Sequence, residues 1–358
     1  TGSCGKTTLK EMIGSTLKKI SKTTYSPKSF NNRYGVPLSL FNLKNNDQFG
    51  IFEVGMDKKG EIDNLTKIVK PDLGIITNIS YAHSKNFKNI NHIANAKAEI
   101  MNNIKKGGSI ILNMDDNFFD YHKKLAIKKG LNVISFGIKN KLSMIKLTKI
   151  KKLKNKSELF FNVNNIKISF YSKNDNKSNI YNILATLASI NLYRDIKNLK
   201  KDIFLNFRTP NGRGDISKIR FNHKEFYLVD EAYNSNPLSL KTAIENYAKI
   251  ETKNSRKYLI LGDMLELGKH SIKQHKLISK IINKTKINHV YVIGKYIKET
   301  FKGLKLNKKG KIFNNISEII ELIKSDIVNN DYLMIKGSNS TGLNKITSIL
   351  KPRNTNVI

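Results

Sequence analysis

Two hydrophobic periods alternate along this chain. In the first 140 residues, short apolar runs are separated by stretches whose apolar residues fall three and four apart. That spacing predicts helices over 9–20, 61–69 (closed by Pro71) and 93–104, the last with Ala94, Lys97, Ala98 and Met101 in register. Residues 49–53, 72–79, 108–113 and 133–136 read as strands. Strands alternating with helices predict a parallel, doubly wound sheet. From 142 to 171 the period changes to two, and the runs 159–163 and 166–170 around Asn164-Asn165 predict antiparallel hairpins. A helix is expected over 180–192. The turn-rich Thr209-Pro-Asn-Gly-Arg-Gly214 marks a domain boundary. Beyond it the alternation restarts, with strands at 226–230, 258–262, 290–294 and 332–335. Between them a helix at 271–283 carries Leu277, Ile278, Ile281 and Ile282 on one face.

Composition narrows the class. A chain of 358 residues with 39% hydrophobic and 26% charged residues is globular, of about two domains. No apolar run approaches the roughly 18–20 residues that span a bilayer, so stable membrane insertion is not expected. Cys4 is the single cysteine, which excludes a disulfide framework. The net charge of +36 points first to nucleic acid. Yet only seven residues are arginine and 57 are lysine, spread along the whole chain, whereas groove readers and phosphate clamps favour the arginine fork. A basic nucleotide-dependent nucleic-acid-binding module is therefore kept as a rival reading, and no nucleic-acid partner is expected.

The chemistry starts at the first residue. Gly2, Gly5, Lys6 and Thr7, followed by a helical pattern, match the end of a phosphate-binding loop. Glycines let backbone N–H groups approach phosphate oxygens, and the helix N-terminus adds positive charge there. Such a loop normally follows a strand, so the chain is expected to be incomplete at its N-terminus. Glu53 and Asn78 fall at the C-terminal ends of expected parallel strands, the edge at which open α/β sheets bind ligands, and His83 follows. Lys97, among Ala94, Ala96 and Ala98, reads on its own as a solvated charge.

Together these pieces are recognisable. Thr1-Gly-Ser-Cys-Gly-Lys-Thr-Thr8, Asn31-Asn32 with Gly35-Val-Pro37, Glu53-Val-Gly55, Gly60-Glu-Ile62, Thr77-Asn-Ile79 with Ala82-His83, and Ala96-Lys-Ala-Glu-Ile100 resemble the central domain of Mur ligases. Asp230-Glu-Ala-Tyr-Asn-Ser-Asn-Pro237, Gly262-Asp-Met-Leu-Glu-Leu-Gly268 and Lys336-Gly-Ser338 resemble the branch of that family that adds D-alanyl-D-alanine. The resemblance implies an α/β fold: a P-loop central ATPase domain over 1–212, then a Rossmann-like domain over 213–358. The family's N-terminal UDP-sugar-binding domain is not expected within this sequence. It implies a cytoplasmic, ATP-dependent amide ligase of peptidoglycan precursor synthesis, expected to be monomeric, acting on UDP-N-acetylmuramoyl-tripeptide and D-alanyl-D-alanine through an acyl phosphate.

The site residues follow from the same resemblance. Gly2, Ser3, Cys4, Gly5, Lys6, Thr7, Thr8, Asn179, Arg213, Asp230 and Asn234 would bind ATP. Asn31, Asn32, Tyr233, Asn236 and Lys336 would bind substrate. Two Mg²⁺ sites would draw on Thr7, Glu53, His83 and Lys97, the last as a carbamate; Lys6, His83 and Lys97 would be the catalytic set. Asp263 and Glu266 belong to the glycine-flanked turn, as contacts or as loop architecture. Ser178 stands at a family histidine position and Asn339 at a family arginine position. A sibling Mur ligase or a folylpolyglutamate synthase-like ligase is the rival within the same chemistry.

Overall fold

The computed structural model describes residues 1–252 and 254–351. The chain divides into two compact units, Thr1–Arg208 and Thr209–Ile358.

The first unit is built on a six-stranded sheet. Leu73–Ile76, Ser109–Asn113, Asn132–Gly137 and Ile145–Lys152 pair in parallel, and Ser157–Val163 and Ile166–Ser172 continue the sheet antiparallel. Successive side chains of the second strand enter opposite cores. Ile111 packs with Leu9, Met12, Ile13, Ile183 and Leu184 from helices Lys6–Lys18 and Lys177–Ile190. Ile110 and Leu112 pack with Ile62, Leu65, Ile93 and Phe119 on the other side. Helices therefore cover both faces, as the alternating pattern predicts.

Three departures from the sequence reading have plain causes. The strand expected at 49–53 is only Phe49–Ile51, and it lies outside the main sheet. It pairs in parallel with Thr23–Tyr25, which falls in a stretch that reads as polar. The helix expected at 93–104 begins at Ile90, because the Asn89 side chain accepts from His92 N–H, and after Ala98 it tightens into a 3₁₀ turn, Glu99–Asn103. The hairpin around Asn164-Asn165 is as expected, both residues having positive φ. Strand Ile145–Lys152, however, also joins the sheet in parallel, through Phe136 opposite Ile145.

The second unit has strand order Lys309–Phe313, His289–Ile293, Lys257–Gly262, Tyr332–Lys336, Lys224–Asp230, Asp215–Phe221, parallel throughout except the last. Its two outer strands escape the sequence reading: Lys309–Phe313 is short and lysine-rich, and Asp215–Phe221 pairs through a two-residue Asn222-His223 turn with no glycine. On helix Ser271–Ile282, Ile278 and Ile282 are buried as expected, but Leu277 is exposed. Both units are thus α/β, each with a mixed, mostly parallel sheet. Among the described residues no helix is long and apolar enough to cross a membrane.

Candidate active site

The opening loop is fastened to the end of strand Leu73–Ile76. Ser3 N–H donates to Asn78 O (2.9 Å), Cys4 N–H to Asn78 Oδ1 (2.9 Å), and Thr77 Oγ1 to Cys4 O (2.6 Å). Ser3 Oγ donates to Ser80 O (3.0 Å) and accepts from Ser80 N–H (2.8 Å). Gly2 lies at φ 145°, where an added Cβ would sit 1.9 Å from Thr77 Oγ1, so this approach requires glycine. Gly5, at φ 80°, turns the chain into helix Lys6–Lys18, whose first helical bond is Leu9 N–H to Gly5 O. The amides of Lys6, Thr7 and Thr8 lie ahead of that bond at the positive end of the helix. The amides of Ser3 and Cys4 are instead spent on Asn78. Lys6 Nζ folds back to donate to Gly2 O (2.9 Å), and the Thr7 hydroxyl meets Ser29 Oγ (3.0 Å).

Glu53, two residues beyond strand Phe49–Ile51, is 3% exposed. Asn31 Nδ2 donates to its Oε1 (2.6 Å), while its Oε2 is buried with no hydrogen-bond partner. A buried carboxylate oxygen left without a donor is costly unless a cation meets it. Asn31, expected to bind substrate, is thus the residue that holds Glu53. Asn32 Oδ1 accepts from the amides of Tyr34 and Gly35 and starts the short helix Gly35–Leu40.

Lys97 overturns its reading as a solvated charge: on helix Ile90–Ala98 it is 1% exposed and makes no ion pair among the described residues. Burial first, then repulsion from Lys6, holds its ammonium well below the ordinary lysine range. His83, half-buried at φ 55°, places Nδ1 2.8 Å from Asp57 Oδ1. Asp57 was not anticipated, since nothing in its local sequence distinguishes it from a surface aspartate.

At the far edge of the same sheet, Asn179 is buried on the first turn of helix Lys177–Ile190. Its Nδ2 donates to Asn174 O (2.6 Å) and Ser172 Oγ (3.2 Å), and its Oδ1 is buried without a partner.

In the second unit the expected residues form one local cluster. Arg213 lays its guanidinium 4.0 Å from the Tyr233 ring centre. Asp230 Oδ1 accepts from Ala232 N–H (3.1 Å). Its Oδ2 and Asp215 Oδ2 both lie 2.6 Å from Lys351 Nζ. Asn234 Oδ1 accepts from Ser235 N–H, and Asn236 caps helix Pro237–Ala248 in a reciprocal box with Ser239. Lys336 is buried and committed to Glu231 Oε2 (3.1 Å) and Asn234 O (2.9 Å), so it props the 230–236 loop from within. Asp263 accepts from the amides of Lys295 (2.9 Å) and Ile297 (2.7 Å), which is loop architecture. Sequence reasoning missed Lys351, Asp215 and Glu231, because a lysine or carboxylate that closes an ion pair across the fold carries no local signal.

Comparison with known proteins bears on the whole chain. Residues 1–190 match the Mur ligase middle domain and residues 218–339 the Mur ligase, glutamate ligase domain. The UDP-N-acetylmuramoyl-tripeptide–D-alanyl-D-alanine ligase of Buchnera aphidicola subsp. Baizongia pistaciae is 34% identical, over 98% of this chain and 74% of the relative. That of Rickettsia prowazekii is 33% identical, over 97% and 76%. Among solved structures, MurF from Acinetobacter baumannii superposes with a TM-score of 0.86 at 25% identity, over 98% of this chain and 75% of the other. MurF from Thermotoga maritima, solved in complex with ADP, shares the fold with a TM-score of 0.83 at 22% identity, over 98% and 78%. With its glycine loop, Glu53 and Lys97 set on that fold, the chain belongs to the Mur ligase family.

Proposed function

We propose that this chain is an ATP-dependent ligase that joins D-alanyl-D-alanine to UDP-N-acetylmuramoyl-tripeptide, in cytoplasmic synthesis of peptidoglycan precursors. The observation that carries the reading is Lys97, a buried lysine without a counter-ion among the described residues, held in the field of Lys6 beside the glycine loop. A hydrolase loop alone has no use for such a group.

In this reading the substrate carboxylate attacks the γ-phosphate of ATP to give an acyl phosphate and ADP. The amine of D-alanyl-D-alanine then attacks the acyl carbon and phosphate leaves. Anion meets anion in the first step, so positive charge must be fixed in place beforehand. Lys6 supplies one charge when its Nζ leaves Gly2 O for the phosphates, and the amides of Lys6, Thr7 and Thr8 at the helix N-terminus supply aligned dipoles. The partnerless Oε2 of Glu53 and the Thr7 hydroxyl suit a hard cation. They would hold Mg²⁺, with His83 and a carbamylated Lys97 serving a second ion, and Mg²⁺ would neutralise charge on the phosphate oxygens. Burial favours the neutral amine of Lys97, the form that would add CO₂, forming an N–C bond, releasing one N–H proton and leaving an anionic carbamate. Asn179 Oδ1, buried without a donor, suits an adenine amino group. In the second unit, Arg213 over Tyr233 offers a guanidinium to an anionic substrate group.

The test is inorganic phosphate release by the full-length protein with ATP and Mg²⁺. Release is expected only when UDP-N-acetylmuramoyl-tripeptide and D-alanyl-D-alanine are both present, with the pentapeptide product by mass. Release independent of the dipeptide, or product with L-lysine or glutamate in its place, overturns the reading.

A further inference from the structure

The segment 139–156 is strongly basic. It holds eight lysines in eighteen residues and no carboxylate. From Thr148 to Asn155 every residue is exposed. Successive strand side chains point to opposite faces, so exposure of all of them means that this end of the hairpin projects beyond the core. Lys152 pairs with Asp175, and Lys156 lies over the Tyr171 ring at 3.6 Å. Lys149, Lys151 and Lys154 make no ion pair among the described residues. The carboxylate opposite Lys151 in the ladder, Glu158, is taken by Lys201 (3.0 Å) and Ser169 Oγ (2.9 Å). Between these lysines stand two aliphatic side chains, Ile150 at 38% and Leu153 at 37% exposure.

We propose that the projecting hairpin 148–156 docks this chain onto an anionic membrane surface, with Lys149, Lys151 and Lys154 meeting lipid phosphates and Ile150 and Leu153 entering the headgroup boundary. Lysines near an anionic leaflet each strengthen binding roughly fivefold, and their methylene stems lie along the apolar boundary while the ammonium stays in water. Aliphatic side chains set among cations are the pattern of interfacial anchors. A nucleic-acid surface calls for stacking rings and arginine forks, and 139–156 contains neither. The hairpin joins the fourth and fifth strands of the sheet, counted from strand Leu73–Ile76, to which the glycine loop is fastened.

The experiment is co-sedimentation of the whole chain with vesicles of phosphatidylcholine containing about 30% phosphatidylglycerol, and with phosphatidylcholine alone, at moderate salt. The prior expectation is binding to the first and not the second. Lys149→Gln/Lys151→Gln/Lys154→Gln should weaken binding about 100-fold, and Ile150→Ser/Leu153→Ser should weaken what survives at raised salt. The control is Lys123→Gln/Lys124→Gln/Lys128→Gln on helix Phe119–Lys128, which removes the same charge elsewhere. Circular dichroism and ATP turnover, expected unchanged in every variant, verify folding. The proposal falls if anionic vesicles are not bound, if neutral vesicles are bound equally, or if the control triple weakens binding as much as the hairpin triple. It also falls if the hairpin triple abolishes binding of a single-stranded RNA oligonucleotide but not of vesicles.

Discussion

Replacing Lys97 by methionine should make the protein more stable and inactive. Lys97 is 1% exposed, has no counter-ion among the described residues and is repelled by Lys6. Methionine keeps most of the apolar stem and removes the charge. In the unfolded chain the amine titrates near its ordinary 10.5; in the folded protein burial sets it well below. Between those two values the unfolded state carries one more proton, so the native protein loses about 1.36 kcal/mol of stability for each unit the pH falls. Above 10.5 the penalty is absent, and below the folded pKa it is constant. The stability advantage of Lys97→Met should therefore shrink as the pH rises toward 10.5. Urea unfolding of both proteins in bicarbonate-free buffer measures it. Adding bicarbonate should stabilise only the lysine protein, because only it can form the carbamate. ADP binding should survive in the variant while ligation is lost. A variant less stable than its parent at pH 7.5, or a gap that ignores pH, would refute the reasoning.

Other expectations follow from the same contacts. Asn31→Ala removes the donor that fixes Glu53, so the Mg²⁺ concentration for half-maximal turnover should rise about 10–100-fold, and an unshifted Mg²⁺ titration would count against the site. Asn179→Ala should raise KM for ATP about tenfold with little change in kcat, read from initial rates; a pure kcat effect would remove Asn179 from the nucleotide site. Lys336→Met strands Glu231 and should cost about 3–5 kcal/mol in urea unfolding, part of it recovered by adding Glu231→Gln. His275 is fully buried and its Nε2 accepts from Met264 N–H (3.0 Å), which requires the neutral ring. Burial lowers its pKa below 6.5, so its contribution is intact above 6.5 and is lost as the pH falls toward the folded value. His275→Asn should flatten the acid limb of a stability–pH curve, and an unchanged limb would show that another group titrates there.

Much of this architecture is written locally. The helix pattern after Lys6, the alternation of 157–171 and the Asn164-Asn165 turn each carry their own period or turn chemistry, and the structure places them where those signals point. Thr23–Tyr25 and Lys309–Phe313 are too short or too polar to show one. The glycine loop is legible because its spacing is its mechanism. The duties of Asn31, Lys336 and Lys351 are not, because each depends on a partner 22 to 136 residues away. Lys97 marks the limit most clearly: a lysine among alanines looks solvated until the fold shows it buried.

The pairing of Asn31 with Glu53 bears on which ion this pocket prefers. Because one oxygen of the carboxylate is already engaged by an amide, only its buried twin is left for a cation. Calcium commonly takes both oxygens of a carboxylate at once and six to eight donors in all, whereas magnesium is content with a single oxygen, a hydroxyl, phosphate and retained water. If Glu53 holds the cation as proposed, a neutral amide side chain would do the work of a size filter, turning a residue that could chelate large ions into one suited to small, strongly hydrated ones.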